Sequence, residues 1–184
     1  MSITFVVQVA DKPGVLNRVS SLVRRRGYNI ESLTVGHAGT PGVSRITLVV
    51  DADPAAASRI EANLYKLVHV RSVQNVTEVP SVFRHLVLIK VSATAESRTQ
   101  VMQLVDVFRG RVVDVAPDSL IIEITGMDEK IDGLLENLKP FGVLEVAKTG
   151  CLAMARGVTS RGVTSGRASA VTADAVDAGV SFSV

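Results

Sequence analysis

The residues best suited to chemistry lie in a turn between a predicted strand and a predicted helix. Asp11 comes three residues before Gly14, and Asn29 follows the helix. A helix N-terminus carries free N–H groups and a partial positive charge, which favour an anion such as a carboxylate. The backbone N–H groups of Gly14, Val15 and Leu16 would therefore bind a carboxylate. The side-chain oxygen of Asp11 or Asn29 would accept a hydrogen bond from an ammonium group.

This pattern indicates a receptor for a small amino acid rather than a catalytic centre. Glycine at position 14 allows a ligand to approach the backbone closely, and nearby valine, leucine and isoleucine would contact an aliphatic side chain. A purely structural interpretation is also open, because turns with Asp, Pro and Gly are common. In that interpretation Asp11 caps the helix, Gly14 serves the turn and Asn29 bonds within its own strand.

The remaining polar residues do not have the spacing of a catalytic or metal site. The three histidines, His37, His69 and His85, are far apart in the sequence. Cys151 is the only cysteine, lies in an apolar segment and is expected in the core. The three arginines at 24–26 fall in the last turn of a predicted helix and indicate a solvated or partner-facing surface. We therefore predict no catalytic residue, no metal ligand and no cofactor site in this chain.

Composition excludes several classes of partner. Hydrophobic residues make up 47% of the 184 residues, aromatic residues only 4%, and the net charge is +2. Few aromatics and near-balanced charge argue against nucleic-acid binding. The N-terminus lacks the basic region of a signal peptide, and no apolar run reaches the ~18 residues of a membrane helix. We expect a soluble, cytoplasmic protein without a membrane partner.

The apolar periodicity of the first half predicts strands and helices in a regular order. Alternating residues predict strands over 3–9, 30–35, 43–50 and 70–79. Helical spacing predicts a first helix over 15–23, ended by Gly27, and a second helix over about 54–68. Asp53 is the predicted N-cap of this second helix, with Pro54 at the first helical position.

The same order recurs in the second half. Strands are predicted over 86–91, 112–115, 120–124 and 143–147, the last extending towards Met154. Helices are predicted over 101–108 and from the cap Asp128 to a stop at Pro140. The fold class is therefore α+β, with two tandem ferredoxin-like βαββαβ units at 1–79 and 80–156, joined near 80–84. Residues 157–184 contain a tandem Arg-Gly-Val-Thr-Ser repeat and small residues, which predict a disordered tail.

The two units can be aligned at an offset of 83 residues, which matches the Arg-Gly pairs at 26–27 and 109–110. At that offset other residue types stand opposite Asp11, Gly14 and Asn29. They are Thr94, Ser97 and Val112. The second unit thus keeps the fold pattern without the polar residues, which favours a ligand site in the first unit alone.

Several segments resemble the small, regulatory subunit of acetolactate synthase. The most specific is Arg-Gly-Tyr-Asn-Ile-Glu-Ser-Leu-Thr-Val at 26–35; the turn at 13–19 and Glu-Val-Ala-Lys-Thr-Gly at 145–150 also match. The resemblance spans roughly residues 3–157. It implies an N-terminal ACT domain and a C-terminal ferredoxin-like domain. It also implies a non-catalytic subunit that binds and activates a larger catalytic subunit and confers feedback inhibition by valine or another branched-chain amino acid.

The resemblance further implies where the effector lies. ACT domains of this family pair side by side as a homodimer, with the turn from one chain and the asparagine from its partner at the interface. By position, the effector residues are Asp11, Gly14, Val15, Leu16 and Asn29. Family members often carry asparagine where Asp11 stands. Thiamine diphosphate, Mg²⁺ and FAD are expected on the catalytic partner, not on this chain.

Three other functions can be compared with the same residues. The chief alternative is a stand-alone amino-acid-sensing ACT protein that controls another enzyme or transcription. A ferredoxin-like RNA binder would need aromatic residues on its sheet, where the predicted strands offer little beyond Phe5. A small acyl phosphate hydrolase would need a nucleophile or base that no constellation here supplies.

Overall fold

The computed structural model describes residues 1–157, which form two units with the same βαββαβ order. The elements of the first unit are β1 (Ser2–Ala10), α1 (Val15–Arg25), β2 (Asn29–His37), β3 (Val43–Asp51), α2 (Pro54–Tyr65) and β4 (Val70–Asn75). The elements of the second unit are β5 (Ser81–Ser92), α3 (Arg98–Val107), β6 (Arg111–Val115), β7 (Ser119–Gly126), α4 (Asp128–Leu138), a 3-10 turn (Lys139–Phe141), β8 (Val143–Lys148) and β9 (Leu152–Ala155). The predicted fold class is confirmed.

Each unit is an antiparallel sheet with two helices packed on one face. The strand order is β2-β3-β1-β4 in the first sheet and β6-β7-β5-β8 in the second, with β9 also paired to β5. Alternate residues of the central strand β1 point towards the helices, as their period of two predicts. The buried core of the first unit includes Ile3, Phe5, Val7 and Val9 of this strand, with Val19, Val23, Ile60 and Leu64 of the helices.

The second unit repeats this packing. Alternate residues of β5 are buried against the apolar stripes of α3 and α4. They include Val87, Ile89, Val91, Val101, Val105, Ile131 and Leu134.

Two predicted helix signals are confirmed and one is wrong. The Asp53 carboxylate accepts a hydrogen bond from the Ala56 N–H at 2.6 Å, with Pro54 at the start of α2. Gly27, just beyond α1, has the left-handed backbone (φ +77°) that ends many helices. Asp128, however, is the first helical residue of α4 and not its cap. Its carboxylate accepts a hydrogen bond from Lys148 Nζ at 2.5 Å instead.

The predicted connection at 80–84 is largely a strand. β4 ends at Asn75, not at residue 79, and β5 begins at Ser81. The first four residues of β5, 81–84, pair with β9. The predicted extension of the last strand towards Met154 is therefore a separate strand, since β8 ends at Lys148 and β9 begins at Leu152. Because β8 and β9 both run antiparallel to β5, the chain from 143 to 155 follows almost the whole length of that strand.

The start of β5 and β9 pack on the face of the first sheet opposite its helices. Ala153 is buried there with Val6 and Val76. The guanidinium of Arg45 in β3 donates to the Ala153 carbonyl at 2.5 Å, and the Cys151 N–H donates to Ser32 Oγ at 2.7 Å. The second unit therefore covers the outer face of the first sheet and leaves its helices free.

Within residues 1–157, no helix has the length and apolar character needed to cross a membrane. The predicted disordered tail, apart from Gly157, lies outside the described residues.

Replacing Gly150 with alanine should destabilise the contact between the units. An added Cβ would lie 2.8 Å from Ser32 Oγ and 3.2 Å from the Leu33 carbonyl oxygen. Such crowding typically costs about 1–3 kcal/mol of unfolding free energy, which urea denaturation measures. Gly39→Ala is the matched control, because nothing lies within 4 Å of its added Cβ. Equal stabilities of the two variants would contradict this packing.

Candidate functional site

The turn between β1 and α1 is fixed by backbone hydrogen bonds and ends in a left-handed glycine. The Asp11 N–H donates to the Gly42 carbonyl at 3.0 Å, which ties the turn to the hairpin between β2 and β3. Gly14 is the N-cap of α1 with φ +81° and ψ −6°. Residues with a side chain rarely adopt this backbone conformation, so the turn requires glycine.

The N-terminus of α1 is open to a ligand. Among residues 1–157 no side chain caps it. The Val15 N–H donates to the Lys12 carbonyl at 3.4 Å, so the remaining N–H groups of the first turn are the ones left for a ligand. Val15 is buried and anchors the helix to the core, whereas the side chain of Leu16 is 41% exposed. The helix thus presents polar N–H groups beside an exposed aliphatic side chain, a combination suited to a carboxylate attached to an apolar group.

Asp11 does not cap this helix, so that part of the structural interpretation is wrong, whereas Gly14 does serve the turn. Its Oδ1 accepts a hydrogen bond from Ser44 Oγ at 3.1 Å, and its Oδ2 lies 3.4 Å from His37 Nδ1. The carboxylate is about half exposed (47%) and is held beside the helix N-terminus. Ser44 and His37 lie at the tip of the hairpin between β2 and β3, far along the chain from Asp11. The spacing of residues in the turn therefore did not indicate them.

Asn29 lies at the opposite end of the same sheet. It pairs with Asp51 at the end of β3, whereas the Asp11 N–H bonds the residue just before the start of β3. Nine residues of extended chain separate these points, which is roughly 30 Å. One chain therefore brings Asp11, Gly14, Val15 and Leu16 together and leaves Asn29 apart, so the corner proposed from the sequence is not formed within a single chain.

A shallow groove of about 360 Å³ surrounds Asn29. One wall is the polar face of α1. The lining residues are Asn17, Ser20, Ser21, Arg24, Tyr28, Asn29 and Ile30. Asn29 is exposed and its side chain has no hydrogen-bond partner among residues 1–157.

The structural offset between the two units is 82 residues, not 83. The N–H groups of Ala10 and Ser92 occupy the same place, donating to the carbonyls of His69 and Gly142. Likewise, buried Val19 and Val23 correspond to Val101 and Val105. By this offset the residues equivalent to Asp11 and Asn29 are Ala93 and Arg111. The helix N-caps Gly14 and Ser97 are nevertheless 83 residues apart, as in the sequence alignment, because the turn before α3 is one residue longer.

The corrected alignment keeps the difference between the two units. The turn before α3 is closed by side chains, since the Thr94 N–H donates to Ser97 Oγ at 3.0 Å. Among residues 1–157, the turn before α1 has no side-chain bond of this kind. Ser97, the N-cap of α3, carries a side chain where the first unit has Gly14. The second unit therefore lacks both the glycine and the aspartate of the first turn.

A cleft of about 640 Å³ between the units holds charged residues that the sequence did not bring together. The Asp128 carboxylate lies 2.5 Å from Lys148 Nζ and 3.4 Å from His85 Nε2. The hydrogen bond from Lys148 lowers the pKa of Asp128. These groups neutralise one another, and nothing else in the cleft forms an acid–base pair with them.

Neither thiol nor metal chemistry is indicated in the described residues. Cys151 is buried as predicted, and burial raises the pKa of its thiol, which disfavours the nucleophilic thiolate. Residues 1–157 contain no group of three His, Cys, Asp or Glu side chains placed to hold a metal ion.

Two family models match the chain, one on each unit. Residues 5–72 match the AHAS small subunit-like ACT domain, and residues 84–157 match the small subunit of acetolactate synthase. A probable acetolactate synthase small subunit from Methanothermobacter thermautotrophicus is 47% identical over 150 residues. That alignment covers 81% of this chain and 89% of the relative. The chain belongs to the acetolactate synthase small-subunit family.

Further relatives agree with this assignment. The acetolactate synthase small subunit of Mycobacterium bovis is 46% identical over 154 residues, covering 84% of this chain and 92% of the relative. The crystal structure of the acetolactate synthase small subunit from Thermotoga maritima superposes with a TM-score of 0.80 at 39% identity, covering 86% of this chain and 99% of that one. The family named from the sequence is confirmed, and Asp11, Gly14 and Asn29 all lie within the range matched to the ACT domain.

Replacing Gly14 should separate the conformational role of this glycine from crowding. Gly14→Ala should lower the unfolding free energy by about 1 kcal/mol, because alanine resists the left-handed conformation. Gly14→Asn should lose less, since asparagine tolerates that conformation better. Nothing lies within 4 Å of an added Cβ, so side-chain clashes do not contribute. Denaturation curves that rank asparagine below alanine would contradict this account.

Proposed function

We propose that this chain is the non-catalytic regulatory subunit of an acetolactate synthase in branched-chain amino-acid biosynthesis. It binds and activates the larger catalytic subunit and confers feedback inhibition by valine or another branched-chain amino acid. Membership of the small-subunit family supports the regulatory role. The observation that carries the effector site is the uncapped N-terminus of α1 beside the Asp11 carboxylate.

These two features match the two charges of an amino acid. The free N–H groups and helix dipole favour the α-carboxylate, and the exposed part of the Asp11 carboxylate accepts from the α-ammonium group. The exposed Leu16 side chain then lies beside the aliphatic group of the effector. Ser44 and His37 contact the two oxygens of the Asp11 carboxylate and fix its orientation.

The full site requires two copies of the chain. β2 is an edge strand, and antiparallel pairing of two such edges about a two-fold axis puts the start of one β2 beside the end of the other. The end of β2 is His37, which lies next to Asp11. A homodimer through the ACT domains therefore brings Asn29 of one chain to the Gly14 turn of its partner.

The catalytic subunit supplies the chemistry. In this proposal thiamine diphosphate, Mg²⁺ and FAD reside on that partner, and the present chain acts in the cytoplasm by changing the partner's activity.

Mixing the protein with the acetolactate synthase catalytic subunit tests this function. We expect a complex in size-exclusion chromatography, faster acetolactate formation, and inhibition by valine that the catalytic subunit alone shows less strongly. Asn29→Ala should keep the complex and the activation but lose valine inhibition. Asn137→Ala, an exposed asparagine of the second unit, is the control and should behave as the unaltered protein.

Two results would count against the proposal. The absence of both a complex and a change in the rate of acetolactate formation would contradict the regulatory role. Binding of a branched-chain amino acid without any complex would instead favour a stand-alone sensor of another enzyme or of transcription.

Complementation between two defective chains tests whether the site is shared. Gly14→Glu places a negative charge at the turn and should block the effector carboxylate. This variant and Asn29→Ala should each fail to bind valine. A heterodimer of the two has one intact site, so an equimolar random mixture should recover about a quarter of the original capacity. Titration calorimetry that shows no recovery would mean that the site lies within one chain.

A further inference from the structure

Arg24 lines the same groove as Asn29 and has no carboxylate partner in the part of the chain that the structure describes. It lies in the last turn of α1, and its side chain is exposed. No Asp or Glu of residues 1–157 comes within 4 Å of its guanidinium. Its neighbours in the groove are neutral: Asn17, Ser20, Ser21, Tyr28, Asn29 and Ile30. An unpaired guanidinium among neutral polar groups is suited to a carboxylate.

The adjacent arginines face elsewhere. Arg25 and Arg26 line a separate groove of about 450 Å³ together with Arg18, Leu22 and Leu67. Arg26 also donates to Asn63 Oδ1 of α2 at 3.3 Å. Arg24 is thus the arginine of this run that shares a surface with Asn29.

The two-fold arrangement that brings Asn29 to the partner's Gly14 turn necessarily brings Arg24 as well. Pairing of the β2 edges makes the two α1 helices antiparallel, so the C-terminal turn of one approaches the N-terminal turn of the other. That N-terminal turn holds the uncapped N–H groups and, beside them, Asp11. The site then combines one fixed carboxylate with one fixed guanidinium on opposite chains.

We propose that Arg24 of one protomer binds the α-carboxylate of the amino-acid effector held on the partner's Gly14 turn. This inference rests on the proposed function and on its homodimer. Arg24 supplements the helix N–H groups at the carboxylate, while Asp11 of the other chain holds the ammonium group. The effector thereby links the two chains through opposite charges, and both charges of a free α-amino acid are required.

Comparison of valine with valinamide, which lacks the carboxylate charge, tests whether Arg24 binds the carboxylate. NMR titration of the full chain measures the affinity of each ligand, into the millimolar range for the weaker one. Arg24→Gln should weaken valine binding about 10- to 100-fold, as expected for a charged hydrogen bond, and should leave valinamide binding unchanged. Arg24→Lys should restore part of the valine affinity. Arg25→Gln, the matched control from the other groove, should change neither.

The outcomes separate this inference from the function beneath it. Valine binding that Arg24→Gln leaves intact, or an equal loss of valine and valinamide, overturns the role of Arg24 and leaves the proposed function standing. Dissociation of Arg24→Gln to monomers, seen by light scattering, likewise overturns a direct contact with the carboxylate. Failure of the unaltered protein to bind any branched-chain amino acid overturns both the effector site and this inference.

Discussion

A helix that crosses a sheet delivers the chain to the opposite end of that sheet, and the arrangement of this protein depends on that constraint. α1 begins beside Asp11 at one end of β1 and ends beside Asn29 at the other. In the sequence the two residues stand on either side of α1. In the structure they are separated by the length of β3. An amino-acid site that uses both must therefore be completed by a second copy.

The contact between the units depends on a different kind of interaction. The outer face of the first sheet is unusually polar for a buried surface, with Thr34, Thr47 and Arg45 beneath the second unit. Within residues 1–157, Thr34 Oγ1, Thr47 Oγ1 and Arg45 Nε are buried without a hydrogen-bond partner. Burial also lowers the pKa of Arg45. Unsatisfied buried polar groups are costly, so this interface is specific in its geometry without being optimised for stability.

Much of the fold could be predicted from the sequence because its signals are local. The alternation of Ile3, Phe5, Val7 and Val9 reports which side of β1 is buried, and Asp53-Pro54 reports where α2 begins. The alignment of the repeats failed by one residue for a physical reason. Arg109 itself adopts the left-handed conformation (φ 53°) that Gly27 adopts in the first unit. Matching the two Arg-Gly pairs by residue type therefore aligned positions with different backbone roles.

The site was less predictable, since its parts meet only in three dimensions. The turn residues are close together in the sequence, so their spacing indicates a candidate site. The partners of Asp11 come from β2 and β3, and Asn29 lies at the far end of the sheet. No sequence pattern predicted that the segment 81–84 is a strand. It pairs with β9, which lies about 70 residues away in the chain, so its strand conformation depends on a distant partner.

β5 gives the molecule a mechanical property. Its 12 residues form one continuous strand, roughly 40 Å long, whose start is packed on the first unit and whose remainder is the central strand of the second. The boundary between the units therefore passes along a stiff rod rather than through a hinge. A rotation of a few degrees of the first unit about Ser81 displaces the far end of that rod by ångströms.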